Sequence, residues 1–190
     1  MPSNQEIEIK FRVVDLPALN RRLRSSGFHL ETKRTHELNT LYDLPGHPLR
    51  ERGDILRLRR FGEHWVLTHK GKSKTGPHKR RVENETNVSD GRTMEAILRA
   101  LKFSPAFRYE KFRAEWTDGQ GRVVVDHTPI GDFGEIEGPS RWIDQTARLL
   151  QIPRSAYITK SYSELFADWK KQNRSAANEM TFQATGEKHS

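Results

Sequence analysis

Carboxylates and cations recur along this chain at a spacing of two, and that spacing limits what they can do. Glu6, Glu8, Lys10 and Arg12 alternate with Ile7, Ile9, Phe11 and Val13. Arg57 and Arg59 alternate with Leu56 and Leu58, and Lys79, Arg81, Glu83 and Glu85 share one parity. Lys111, Arg113 and Glu115 stand opposite Phe112, Ala114 and Trp116, and Glu135 and Glu137 flank Ile136. Successive side chains of a β-strand point to opposite faces, so each charged pair lies on one face of its strand. The acidic pairs Glu6/Glu8 and Glu135/Glu137 stand toward the two ends of the chain, and the basic pairs, with Glu83/Glu85 following one of them, occupy the strands between. Two glutamate pairs brought together repel unless a divalent cation lies between them. Carboxylate oxygens are the hard ligands that Mg2+ or Mn2+ takes. Arg and Lys converging from other strands would take phosphate oxygens, with Arg adding bidentate geometry. Together these features make the division of labour that phosphoryl chemistry needs.

The elements that must position these residues are strands with period-two alternation and four helical stretches. The first helix has Asp15 as N-cap, Pro17 in its first turn, Gly27 as its stop and an apolar stripe of Leu16, Leu19 and Leu23. The second follows Ser89-Asp90 and carries Met94, Ile97, Leu98 and Leu101 at helical spacing. The third starts near Ser140 with Trp142, Ile143, Leu149 and Leu150, and the fourth runs through Tyr162, Leu165, Phe166 and Trp169. Trp142, Tyr162 and Trp169 fall on apolar stripes and read as core. After Gln172 the chain turns polar and aperiodic, so residues 173–190 read as a loosely held tail to a single domain spanning 1–172. Alternation alone fits two architectures. An open antiparallel sheet, the simpler, would show its charges to solvent; a sheet closed into a barrel would turn them inward.

Composition narrows the partners. The chain has 190 residues, 33 Lys plus Arg against 25 Asp plus Glu, a formal charge of +8, and only 34% apolar residues. Such a balance fits a phosphate-rich small molecule or nucleic acid as well as plain solubility. There is no cysteine, which excludes disulfides, thiolate metal sites and thiol catalysis. No apolar run approaches a membrane span, and the first residues lack the apolar core of a signal peptide, so a cytoplasmic protein is expected. Gly71 and Gly76 have the spacing of a phosphate-binding P-loop, but Pro77-His78 stand where Lys and Ser or Thr must follow, which excludes it. The basic stretch from Lys70 to Arg81 reads as a lid or tunnel-mouth loop rather than a nucleic-acid patch.

At these residues the sequence resembles the CYTH superfamily, the triphosphate tunnel metalloenzymes. The opening Glu6-Ile7-Glu8-Ile9-Lys10 matches the family's Glu-x-Glu-x-Lys signature. Asn39 to Asp43, Leu56-Arg57-Leu58-Arg59, Leu67-Thr68-His69-Lys70-Gly71, Arg81-Val82-Glu83-Asn84-Glu85, Lys111-Phe112-Arg113, Asp126, Gly131 to Glu137 and Lys160-Ser161-Tyr162 follow in family order, over about residues 5–170. The resemblance implies an α+β fold: a closed eight-stranded antiparallel tunnel with a charged lumen and helices packed outside. It implies Glu6, Glu8, Glu135, Glu137 and Asp126 as metal-site residues for Mg2+ or Mn2+. It implies Lys10, Arg57, Arg59, Lys70, Lys79, Arg81, Lys111, Arg113 and Lys160 as phosphate-binding, with Glu6, Glu8, Lys10 and Lys111 carrying catalysis.

Class IV adenylyl cyclases share the look of Pro129 to Glu135 and Thr159 to Tyr162, which favours conversion of ATP to cyclic AMP and pyrophosphate. Hydrolysis of thiamine triphosphate or inorganic triphosphate is the competing reading. A non-catalytic binder of polyphosphate or RNA is the third, and the acidic positions argue against it. The expected partner is a small-molecule triphosphate, without membrane or nucleic acid, and the cyclase resemblance implies a homodimer.

Overall fold

The computed structural model of the protein describes residues 5–74 and 76–187. Eight strands run β1 (Gln5–Arg12), β2 (His29–Asp43), β3 (Ile55–Phe61), β4 (His64–Lys70), β5 (Lys79–Val88), β6 (Ser104–Thr117), β7 (Arg122–Thr128) and β8 (Gly131–Glu137). They close into one antiparallel barrel in the order β1-β5-β4-β3-β2-β6-β7-β8, with β8 pairing back onto β1. Closure pairs every strand on both sides and leaves no sheet edge. The open-sheet alternative is thereby excluded.

Six helices pack outside, among the described residues: α1 (Leu16–Ser25), α2 (Pro48–Arg52), α3 (Gly91–Ala100), α4 (Ser140–Leu149), α5 (Tyr162–Asn173) and α6 (Phe182–Thr185). The Asp15 cap read from sequence forms as expected, and α3 and α5 are capped as well. Asp15 accepts the Ala18 N–H at 2.8 Å, and Asp90 accepts that of Arg92 at 2.9 Å. Ser161 and Glu164 cap each other's backbone at the start of α5. The helix α2 has only five residues, too few to carry a periodic signal, and is held from outside by Asp43. The Asp43 carboxylate accepts backbone N–H groups of Leu44, Leu49 and Arg50 at 2.8, 3.1 and 3.0 Å.

The barrel is inverted relative to an ordinary domain: its apolar core lies outside the sheet. Ile9, Phe11, Val123, Val125 and Ile136 pack on Leu19 and Leu23 of α1 and on Trp142 and Ile143 of α4. That seam depends on Gly134, where an added Cβ would come within 2.1 Å of the Phe11 ring. Leu98 and Met94 of α3 cover Leu58, Leu56 and Leu67, and α5 places Leu165 and Phe166 beside Phe133 and Ile130.

The segment after Gln172, expected as a loosely held tail, packs instead. Met180 is fully buried and Phe182 nearly so. The Met180 backbone bonds Glu110 and Arg108 of β6, each at 3.0 Å. Phe182 lies against the His127 and Phe112 rings with centroids 5.4 and 5.7 Å away. A polar stretch with two well-spaced apolar anchors has no periodicity to read, but two anchors suffice to dock it. Residues 188–190 lie outside the described part of the chain.

Candidate active site

Strand pairing sets the charges side by side around the lumen. Across β1 and β5, Glu6 faces Arg81 and Glu8 faces Lys79; across β1 and β8, Glu8 faces Glu137 and Lys10 faces Glu135. Lys70 faces Glu83, Glu37 faces Lys111, and Arg113 faces Asp126. A cavity of ≈ 360 Å³ runs through the barrel, with nine Lys or Arg and seven Glu among its lining residues.

The charges form a dense lattice of ion pairs. Lys70 donates to Glu6 at 2.7 Å and to Glu83 at 3.0 Å, and Arg81 donates to Glu6 at 2.9 Å. Lys79 reaches Glu8 at 3.0 Å, and Lys10 pairs with Glu135. Arg57 lies between Glu83 and Glu85 at 4.0 and 3.7 Å and is bonded to Thr68 at 3.2 Å; Arg59 reaches Glu85 at 3.5 Å. Asp126, fully buried, accepts both Arg113 nitrogens and Lys111 at 2.8 Å and the Tyr162 hydroxyl at 2.7 Å. Asp126 thereby ties Lys111, Arg113 and Tyr162 together.

Ionisation follows from this lattice. Burial pushes Glu6 upward, but Lys70 and Arg81 outweigh it and hold its carboxyl at about 2. Burial opposes the charged form of Glu135 as well, yet Lys10 and Arg113 hold it well below the usual carboxylate range. Glu137 behaves oppositely: burial, then the charges of Glu6 and Glu8, push it up to about 7. Burial and the neighbouring Asp126 raise the Tyr162 phenol well above its ordinary value.

Sixteen of the lining residues are charged, and the site residues inferred from sequence are among them with two exceptions. Asp126 lies in the wall behind Arg113. Lys160 stands apart: it is half exposed and pairs with Asp168 of α5 at 2.6 Å. Sequence reasoning missed Glu37, which is fully buried and lies 3.5 Å from Lys111 and 3.6 Å from Arg113. Tyr162 packs in the core as the sequence reading expects, and its ring also lies 4.2 Å from the Lys10 ammonium and 4.8 Å from that of Lys111 at the lumen wall. Glu37 sits in Thr35-His36-Glu37-Leu38-Asn39, where the outward residues are too polar to reveal parity; its one signal is being two positions from Asn39, whose amide bonds it at 2.9 Å.

Among the described residues, no three acidic or imidazole groups stand assembled as metal ligands. The donor chemistry nevertheless fits a hard divalent cation. Glu8 and Glu137 are cross-strand neighbours where β1 and β8 join, and burial first, then the charges of Glu6 and Glu8, push Glu137 up, so added positive charge would be favoured there.

The strands thus build a closed eight-stranded antiparallel barrel whose lumen is lined with Lys, Arg and Glu. The chain belongs to the CYTH family: the CYTH domain model matches residues 4–162. A Methanocaldococcus jannaschii protein provisionally named an adenylate cyclase is 25% identical over 171 residues, covering 84% of this chain and 97% of that protein. The barrel is similar to that of a Vibrio parahaemolyticus protein with the same provisional name, at a TM-score of 0.77 and 18% identity, covering 85% of this chain and 97% of that one. It is also similar to a Hippeastrum protein described as an adenylyl cyclase with a dominant triphosphatase activity, at a TM-score of 0.62 and 20% identity over 88% of this chain and 96% of that one. No helix among the described residues is long and apolar enough to cross a membrane.

Proposed function

We propose that the protein hydrolyses a linear triphosphate in its tunnel with the help of Mg2+ or Mn2+. One observation carries this reading: sixteen of the twenty-three residues lining the lumen are charged, and Leu41, Ile55, Phe61, Tyr109 and Tyr162 supply its apolar and aromatic surfaces. Hydrolysis asks the tunnel to hold only phosphates and water. Cyclisation also asks it to fold a ribose and its base back onto the reacting phosphorus, and a lumen of paired ions offers that moiety little contact surface.

In this reading Arg57, Arg59, Lys70, Lys79, Arg81 and Arg113 grip the phosphate oxygens, with the guanidiniums supplying paired donors. Lys10 and Lys111 place their ammoniums where charge develops on the leaving oxygen. Glu6, Glu8, Glu135 and Glu137 would hold the cation, which when bound polarises the phosphoryl group and neutralises its charge. Asp126 and Glu37 keep Lys111 and Arg113 aimed, and the buried Tyr162 lines the lumen beside them. Catalysis is then mostly positioning and electrostatic stabilisation, the usual demand of phosphoryl transfer.

Adenylyl cyclisation is the second reading, favoured by the provisional names of the Methanocaldococcus and Vibrio proteins. The Hippeastrum protein, named for one activity and described as dominated by the other, shows that the two names travel together. The test is to incubate the purified protein with Mg2+ or Mn2+ and inorganic triphosphate, thiamine triphosphate or ATP, and to identify products. Orthophosphate released fastest from inorganic or thiamine triphosphate is expected; cyclic AMP with pyrophosphate as the main products of ATP would overturn hydrolysis in favour of the cyclase.

A further inference from the structure

The chain after α5 meets the barrel where β7 ends. β7 pairs with β6 from Phe112 to Thr117, and past that point Met180 takes over as the partner of β6. The Met180 N–H donates to Arg108 O and its carbonyl accepts the Glu110 N–H, both at 3.0 Å, so the two bonds bracket Tyr109. Two residues on, the Phe182 N–H donates to Glu110 Oε1 at 2.8 Å, and Thr181 caps the short α6. Residues 175–187 thus form a strap on the barrel wall, and they lie outside the matched family region, residues 4–162.

The strap packs with two tyrosines that face the tunnel. Met180 has no exposed surface and belongs to one buried cluster with Tyr109, Tyr162, Phe133 and Phe166. The Tyr109 and Tyr162 ring centroids lie 5.8 Å apart, and both residues line the lumen. Each turns its hydroxyl to a different part of the charge lattice. Tyr162 donates to Asp126 at 2.7 Å, the carboxylate that also holds Lys111 and Arg113. Tyr109 is hydrogen-bonded to the Arg57 guanidinium. On β2 their cross-strand partners, Asn39 for Tyr109 and Leu41 for Arg57, stand two residues apart on one face. A buried ring keeps one orientation through close contact with its neighbours, so a gap beside Tyr109 would let its hydroxyl and Arg57 wander.

We propose that the strap completes the phosphate grip, with Met180 as a positioning residue that fixes Tyr109 and, through it, Arg57. This rests on the tunnel reading above and makes the grip depend on a segment beyond the family region. Phe182 anchors the strap further along, against the His127 and Phe112 rings with centroids 5.4 and 5.7 Å away. A strap that served stability alone would change the fraction of folded molecules and leave the affinity of each folded molecule as it was. A strap that positions Arg57 changes the affinity itself.

The experiment compares the full chain with Met180→Ala, Met180→Leu, Tyr109→Phe and the Met180→Ala/Tyr109→Phe double variant. Each is assayed well below its melting onset, on inorganic triphosphate at constant free Mg2+. Met180→Ala and Tyr109→Phe are each expected to raise KM about three- to tenfold with a smaller change in kcat, the size of one hydrogen bond to the guanidinium. Because both act through Tyr109, the double variant should be no worse than the more severe single one. Met180→Leu refills the volume and should restore KM. An unchanged KM in Met180→Ala, with kcat falling only as the folded fraction falls, overturns the proposal. So do effects that multiply in the double variant, or a Met180→Leu protein as impaired as Met180→Ala. Should Met180→Ala fail to fold, Phe182→Leu loosens the strap at its other anchor; KM should rise there too, and an unchanged value is equally fatal. Triphosphate turnover whose KM ignores the strap defeats this proposal alone, whereas an unaltered chain that binds no triphosphate defeats the tunnel reading and this proposal with it.

Discussion

A carboxylate between two cations and one between two carboxylates are different chemical objects even when they are neighbours on one wall. Glu6 is the first kind and Glu137 the second, held at about 2 and about 7 respectively. Their contributions to stability run in opposite directions with pH. Glu137 is raised above its ordinary value, so its contribution is fully present below about pH 4.5 and is lost as pH rises through about 7. Glu6 is depressed, so its contribution is present above about pH 4.5 and lost as pH falls toward 2. Thermal melting of chelator-treated protein should therefore show a fall in Tm between about pH 5 and 8, and Glu137→Gln should flatten it. A Tm independent of pH in that window would remove Glu137 from the acidic cluster. Glu8→Gln should lower turnover about a hundredfold or more while circular dichroism stays unchanged. Near-normal activity would defeat the metal assignment. Arg57→Ala should act mainly on KM, and unchanged KM and kcat would remove that guanidinium from the site.

Elements were legible in proportion to how strongly they repeat. The strands with strict alternation and the helices with both a cap and an apolar stripe could be read directly, and strand pairing sets Glu8 beside Glu137 and Lys10 beside Glu135. What alternation could not decide was whether the charged face looks outward or inward, because both arrangements satisfy period two; the resemblance decided that, and closure of β8 onto β1 agrees. Glu37 and the lumen contacts of Tyr162 escaped for local reasons: one strand has polar residues on both parities, and one aromatic residue serves an apolar stripe while its hydroxyl turns to Asp126. The seam between β1 and β8 yields its own prediction. Gly134→Ala pushes a methyl group into the Phe11 ring, and urea denaturation should register a loss of about 1–3 kcal/mol. An unchanged midpoint would mean the ring moves aside freely.

At the scale of the whole molecule, the barrel and its C-terminal segment form one unit. The segment lies beyond the matched family region, yet Met180 and Phe182 bury themselves against β6 and β7. Met180→Ala should cost about 2–4 kcal/mol in chemical denaturation, in the range of a buried large-to-small change. A loss below a few tenths would show that the strap is ornamental to stability.

The paired lumen also determines how a polyanion is taken up. Each phosphate that enters must draw an arginine or lysine away from a glutamate that already neutralises it, so uptake works as an exchange of one counter-ion for another. Unlike the exchangeable ions of a resin, that glutamate is tethered to the wall, so the swap releases no mobile anion from the protein. Tunnel binding should accordingly depend on salt less than its count of cations would imply.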